Sequence, residues 1–355
     1  MQNLSRYHRQ MLLPQFGTTG QERLSQAVVA VLGLGALGSC AAELLARAGV
    51  GTLRLIDRDF VDLTNLQRQS LYDEADARER IPKAIAAARH LGEINHEITL
   101  EPIVADIRPE NILELLAGVD LVIDGADNFE LRLLLNDAAL ERNLPWVHGG
   151  CVGTSGQAMA IHPPHTPCFR CLVNPVDDAD ASGQTSSSAT TPATCDAVGV
   201  AGPAVHLVAS LQAMMAIQIL LGEREVLGSQ LKLVDAWSGQ IRAMDLSRLR
   251  ETSDCRACQQ GERLWLSGQQ TSQTTVLCGR NAVQISPAHP RPLDLHLLAH
   301  QLAPLGDVRP NPYLLRFKPT GYNCELTIFR DRRTYIEGTE DPTLARTLYT
   351  QFLGD

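Results

Sequence analysis

Three features of this sequence predict an α/β fold class followed by a small α+β domain. A glycine-rich turn lies between an apolar run and a small-residue segment near the start, apolar runs alternate with polar turns through the first 260 residues, and shorter strand-like runs follow Cys258. The first feature organises the others. From Ala27 to Asp59 the order is an apolar run (AVVAVLGLGALG), a segment of helical composition (SCAAELLARAGVG), a second apolar run (TLRLI) and an acidic turn with Asp57 and Asp59. That is one Rossmann-like β-α-β unit carrying a G-x-G-x-x-G turn, Gly33-Leu34-Gly35-Ala36-Leu37-Gly38. Gly33 permits the tight turn, Gly35 lets backbone approach a phosphate, and Gly38 lets the helix pack close to the strand. Helix N-terminal N–H groups near Ala36 and Leu37 then face the anion. About twenty residues on, Asp57 closes the second strand, where a carboxylate can accept both ribose hydroxyls. The unit is built to bind a nucleotide.

Length and charge bound the remainder. A chain of 355 residues exceeds the usual span of one hydrophobic core, so a large domain with an appendage is expected. A net charge of −9 argues against broad nucleic-acid binding, which needs a basic surface, and leaves any phosphate site to a few local cations. The start, MQNLSRYHRQ, has no apolar stretch behind a basic one, so no secretory signal is expected. Val198 to Gly222 has the length of a membrane span, but Pro203, His206, Gln212 and Gln218 interrupt it, and a buried core helix is the expectation. Nine cysteines without a signal fit reduced thiols in the cytoplasm.

Taken in order, the chain opens on a basic arm, Arg6-Tyr7-His8-Arg9-Gln10, which by itself reads as a solvated helix face. Thr19 and Glu22 have capping-box spacing for a short helix before the first strand. After Asp59, the loop Thr64-Asn65-Leu66-Gln67-Arg68-Gln69 lies at the carboxyl end of a strand, where open α/β sheets bind ligands. Asn65 and Arg68 can donate to phosphate oxygens, or the segment is an ordinary surface loop. Pro82 suits a first helical position, and Lys83 follows in the first turn. A cation there opposes the helix dipole unless an anion is near, which marks Lys83 as a phosphate ligand.

The runs ITLEPIVADI and VDLVIDGADNFELRLLLNDAAL predict a strand, then a strand, turn and helix. Asp124, Asp127 and Asn128 fall just past that strand. Asp127 suits Mg²⁺, which takes one or two carboxylates beside phosphate oxygens, while Asp127 or Asn128 could equally cap the helix. Short strands separated by glycines lead to Cys168-Phe169-Arg170-Cys171, and Cys255-Arg256-Ala257-Cys258 lies far downstream. Two such knuckles supply four thiolates, a closed and therefore structural zinc site; redox pairs are the competing reading. Between them the Ser/Thr-rich run Ser182 to Cys195 reads as a mobile loop, with Cys195 either a nucleophile or a buried thiol. Met214 and Met215, with leucines at helical spacing, read as core packing.

Together these residues resemble the MoeB/ThiF family, bacterial relatives of ubiquitin-activating E1 enzymes. The resemblance rests on RYHRQ, GLGALG, the Asp57-Arg58-Asp59 turn, TNLQRQ, Pro82-Lys83, DGADN, CFRC, AVGVAGP and CRAC, in family order over residues 1–260. It implies an E1 adenylation fold with structural zinc knuckles. It further implies that Mg-ATP adenylates the C-terminal glycine of a ubiquitin-like sulfur-carrier protein ending in Gly-Gly, with release of pyrophosphate, before a sulfur donor protein displaces the adenylate. By that resemblance Asp57 binds ribose, Asn65, Arg68 and Lys83 hold phosphates, and Asp127 binds magnesium. Arg9 reaches the ATP of a neighbouring subunit in a homodimer, and Cys168, Cys171, Cys255 and Cys258 hold zinc. Cys195 matches a family cysteine that in thiamine-type members accepts the carrier as an acyl disulfide. The arm and the TNLQR loop follow the molybdopterin-type branch, which makes a molybdopterin-synthase carrier the expectation and a thiamine-type carrier the alternative.

Beyond Cys258 the resemblance to the short family members stops, and residues 261–355 are expected to form a small α+β domain of their own. TTVLC, YLLRF, CELTIF and RTYIEG read as strands; Leu295, Leu298, Ala299 and Leu302 mark an amphipathic helix, and Pro342 to Phe352 a second. Cys278-Gly279-Arg280 does not reproduce a rhodanese cysteine loop, and Cys278 and Cys324 read as buried strand thiols. Two readings of other classes stand beside the adenylyltransferase: an NAD-dependent oxidoreductase, which leaves Arg9, Lys83 and the Asp127 turn without a role, and a non-catalytic zinc scaffold that presents a carrier.

Overall fold

Strands β1 (Val28–Leu32), β2 (Thr52–Asp57), β3 (Thr99–Val104), β4 (Leu121–Asp124), β5 (Trp146–Val152), β6 (Ser155–Ile161), β7 (Gln230–Asp235) and β8 (Gln240–Asp245) form one sheet in the order β3-β2-β1-β4-β5-β6-β7-β8. This computed structural model describes residues 4–173, 199–223, 228–269, 274–277, 281–287 and 292–354. β3, β2, β1, β4 and β5 run parallel because helical crossovers join them. From β5 to β8 the pairing is antiparallel, and at β5–β6 a two-residue turn, Gly153-Thr154, suffices.

Alternate residues of β1 feed two cores. Val29 and Val31 pack with Ala41, Ala42 and Leu45 of the Ala36–Ala48 helix, Ala84 and Ala87 of the Lys83–Ile94 helix, and Val205, Val208 and Ala209 of the Gly202–Leu221 helix. Ala30 and Leu32 pack on the other face with Leu134 and Ala138 of the Phe129–Arg142 helix, Trp146 and Phe169. A strand covered on both faces reads as a continuous apolar run, which is why AVVAVL was legible as a strand. The Gly202–Leu221 helix has the length and apolarity of a membrane span, yet 61% of that window is buried inside the protein, in accord with a core helix. One part of that expectation is corrected. Met215 is buried, but its neighbour Met214 is 50% exposed, since a step of about 100° around the helix carries it past the edge of the buried face. The helix before β1 also differs: it spans Gly17–Gln26 with no side-chain cap, so Thr19 and Glu22 sit inside it rather than opening it.

The chain divides into Met1–Gln270 and Thr271–Asp355. The first unit extends past residue 260 because Trp265 is buried in the second core and its backbone N–H donates to Asp137 Oδ2 at 3.0 Å. The second unit is a six-stranded antiparallel sheet, β9 (Thr274–Leu277), β10 (Ala282–Ile285), β11 (Gly306–Pro310), β12 (Leu314–Pro319), β13 (Glu325–Phe329) and β14 (Thr334–Glu337), in the order β11-β12-β13-β14-β10-β9. Helices Leu295–Leu302 and Pro342–Leu353 are capped by Asp294 and Asp341, and Leu295, Leu298, Leu302 and Leu348 bury against Phe317, Leu326 and Ile336. β10 and β11 escaped sequence reading; β11 is largely exposed and carries no apolar alternation to mark it. Cys324 is buried just ahead of β13; Cys278 lies outside the described residues.

Candidate functional site

The carboxyl ends of β1, β2 and β4 converge on the glycine turn. Gly33 has φ +85°, and a Cβ there would stand 2.6 Å from the Gly125 carbonyl; a Cβ on Gly38 would stand 1.8 Å from the Gly33 carbonyl. Both positions therefore require glycine. At Gly35 the nearest atom to such a Cβ is the Gln69 amide, 3.9 Å away, so space is open where an anion would meet the N-terminus of the Ala36–Ala48 helix.

Leu34, between the first two glycines, is held from two sides. Its N–H donates to Asp57 Oδ2 at 2.6 Å, and its carbonyl accepts from the buried Tyr72 hydroxyl at 2.7 Å. Asp57 Oδ1 accepts the Asp59 N–H at 2.6 Å. Each oxygen of the residue expected to meet ribose thus already takes one backbone donor, and burial raises its carboxyl against the pull of Lys83. Gln69, also buried, has no partner for Oε1. The sequence reading gave no role to Tyr72 or Gln69; their signal was an amide closing a loop already marked as ligand-binding and an aromatic three residues beyond it.

Lys83 is buried at the start of its helix, with Pro82 as N-cap rather than first residue, and its ammonium pairs with Asp59 at 3.4 Å. Its backbone N–H donates to the Asp59 carbonyl at 2.8 Å, so the acidic turn and the lysine form one unit beside the glycine turn. Asn65 is buried and accepts the Asp62 N–H through a capping box, with Thr64 bonded to Asp62. Arg68, half-buried, donates to the Thr64 carbonyl at 3.0 Å; Leu66 packs on the core and Gln67 is exposed. At the end of β4 Asp127 is exposed and accepts from Asn128 Nδ2 at 3.0 Å, while Asn128 caps the next helix through the Leu131 N–H. Capping and an open carboxylate therefore fall on different residues.

Behind Asp127 lies a buried polar cluster. Asp124 Oδ2 receives Arg132 Nε at 3.1 Å and His148 Nδ1 at 2.8 Å, and His148 Nε2 faces Gln157 Nε2 at 3.1 Å. Burial would raise the Asp124 carboxyl, but Arg132 and His148 together hold it below the ordinary value; burial lowers His148 despite Asp124. An ionised carboxylate can only accept, so Nδ1 carries the imidazole proton and Nε2 accepts from Gln157.

Arg9 is not brought to this site within its own chain. It is exposed, and the next residue, Gln10, donates to the Ala48 carbonyl at 3.0 Å, at the far end of the Ala36–Ala48 helix. Thirteen helical residues put roughly 20 Å between that end and the glycine turn.

The two knuckles, 87 residues apart, do meet. Sγ separations are 3.8 Å for Cys168–Cys171, 3.7 Å for Cys168–Cys255 and 3.6 Å for Cys171–Cys258. Tetrahedral bonds of about 2.3 Å would place sulfurs about 3.8 Å apart, so the four thiols fit zinc. Their crowding pushes Cys168 and Cys171 up and Cys258 down to about 7, as expected where four sulfurs share a space suited to a cation. Cys195 lies outside the described residues.

The sequence matches the ThiF family over residues 7–257. A relative in Bacillus subtilis (strain 168), a sulfur carrier protein ThiS adenylyltransferase, is 37% identical over 98% of this chain and 99% of its own length. A molybdopterin-synthase adenylyltransferase of Salmonella typhimurium (strain LT2) is 35% identical over 73% of this chain and 98% of its own. Among solved structures, Escherichia coli MccB with selenomethionyl MccA aligns with a TM-score of 0.58 at 23% identity, covering 72% of this chain and 75% of that one, a likeness of fold.

Proposed function

This chain belongs to the ThiF family, and from that premise we propose an enzyme that uses ATP to adenylate the C-terminal glycine of a ubiquitin-like sulfur-carrier protein, releasing pyrophosphate. The observation that carries this reading is the sulfur-carrier adenylyltransferase similar to the chain over its whole length. That match includes the C-terminal unit, whereas the molybdopterin-synthase relative covers 73% of the chain. It favours a ThiS-type carrier. A molybdopterin-type carrier is the second reading, favoured by the N-terminal arm and the TNLQR loop.

The chemistry sets what the residues must do. A carboxylate attacking an α-phosphate is anion meeting anion, so the barrier falls when cations neutralise charge growing on the leaving pyrophosphate. Lys83, Arg68 and Asn65 hold the phosphates, with Lys83 turning from Asp59 toward them. Asp57 meets ribose with the second lone pair of each oxygen while it keeps Leu34 in place. Asp127, an exposed carboxylate at the nucleotide edge, fits magnesium, which when bound adds positive charge beside the phosphates. The carrier's own carboxylate is the nucleophile, and docking holds it in line. The cysteine tetrad, with all four positions taken by thiolates, holds zinc in a closed, structural site.

Pyrophosphate exchange into ATP, measured with ThiS-type and molybdopterin-type carriers ending in Gly-Gly, tests this. Exchange that depends on one carrier is expected and identifies it. No exchange with any carrier, despite ATP binding, would sink the reading in favour of a scaffold.

The distance of Arg9 from its own glycine turn supports a homodimer in which Arg9 completes the partner's site. Mixing Arg9→Ala with Asp127→Ala subunits should then regain some exchange, because one site of each mixed dimer is intact. Verified mixed dimers without activity would count against action in trans.

A further inference from the structure

The turn presenting Asp127 is fixed both by bonds within its own segment and by residues distant in sequence. Gly125 N–H donates to the Leu32 carbonyl at 2.8 Å, and the Asp124 carbonyl accepts Gln212 Nε2 at 2.8 Å. Both backbone groups of Ala126, immediately before Asp127, are held: its N–H by Asp124 Oδ1 at 2.9 Å, its carbonyl by Arg132 Nη2 at 2.7 Å. The Asp124 carboxylate is thus the hub, and its orientation decides where Asp127 points. Asp124, 0% exposed, takes its second oxygen's donors from Arg132 and His148.

We propose that His148 is a positioning residue: through the Asp124 carboxylate it fixes the turn that presents Asp127 to the magnesium of the bound nucleotide. This rests on Asp127 as the metal-binding carboxylate. His148 is 2% exposed on β5 and its imidazole is fixed at both nitrogens, so its Nδ1–H meets the Asp124 carboxylate from a fixed position. Arg132 reaches the same oxygen through Nε while its Nη2 serves the Ala126 and Gly149 carbonyls, so His148 supplies the second donor that fixes the carboxylate. Removing a group hydrogen-bonded directly to a metal ligand weakens metal binding about 10- to 100-fold. His148 acts one residue further out, through Asp124 and the Ala126 backbone, so the lower end of that range is expected.

The test is Mn²⁺ titrated into the full chain with a non-cleavable ATP analogue, free Mn²⁺ being read by electron paramagnetic resonance. His148→Leu should raise the Mn²⁺ dissociation constant about tenfold and leave analogue affinity without metal unchanged. His148→Asn places an amide N–H where Nδ1–H stood and should remain within about twofold of the native protein. Gln157→Leu, which frees only the ring, should fall between, and it carries the test if His148→Leu does not fold. In pyrophosphate exchange the Mg²⁺ requirement should rise in step while the rate at saturating Mg²⁺ is kept. Native Mn²⁺ affinity in His148→Leu, or in Gln157→Leu where that variant carries the test, with affinity lost in Asp127→Asn, overturns the proposal alone. Native affinity in Asp127→Asn overturns the magnesium assignment and this proposal with it.

Discussion

Replacing Lys83 or Arg68 with alanine lowers carrier-dependent pyrophosphate exchange at least about 100-fold, the scale of losing one preorganised electrostatic stabiliser. Lys83 is the stronger case. Its side chain is 5% exposed and paired with Asp59, so its charge acts in a region of low dielectric rather than in water. It also begins a helix, where the dipole disfavours a cation and an incoming phosphate removes the conflict. Arg68 acts from a half-buried loop position and already orders that loop through Thr64. Its guanidinium can take two phosphate oxygens side by side, which lysine cannot. Stopped exchange with retained fold is the expected result for each. Near-normal exchange in either variant, with circular dichroism unchanged, would refute the phosphate assignment.

Losing Cys168 should act on stability instead. The residue is 1% exposed, immediately precedes the short Phe169–Leu172 helix and lies between two other sulfurs. Phe169 beside it is in the second core, and its N–H is held by Asn136 at 2.8 Å. A metal joining Cys168 and Cys171 to Cys255 and Cys258 closes a loop across 87 residues, so its removal frees the segments that follow β6 and β8. Cys168→Ser should therefore lose zinc and melt at least about 5 °C lower, equivalent to about 2 kcal/mol in a domain of this size. Wild-type protein stripped by a chelator should melt in the same range. A melting curve unchanged after zinc is gone would show the tetrad to be dispensable for the fold.

Much of the site was legible because its signals are local. GLGALG, Lys83 after Pro82, Asp127 with Asn128, and each C-x-x-C depend on spacings of a few residues, over which backbone geometry fixes relative direction. The structure adds what depends on separations of tens of residues. Nothing near Tyr72 in sequence says that its hydroxyl holds Leu34, and a histidine in an apolar strand hints at a satisfied polar group without naming Asp124. Asp57 was legible as an acid at the end of β2, but its service to the Leu34 and Asp59 N–H groups was not.

By itself the sequence determined the β-α-β nucleotide unit, the alternation of strands and helices, the four zinc-type cysteines and the family. Short-range periodicity and turn chemistry encode these, and they survive without knowledge of neighbours. Tertiary structure alone decided the strand order, the change from parallel to antiparallel pairing beyond β5, the meeting of the two knuckles, and the separation of Arg9 from its own glycine turn. Each of these is a choice among partners far apart in the chain. Burial of apolar surface and the need to satisfy buried polar groups settle such choices, and both are properties of the packed whole.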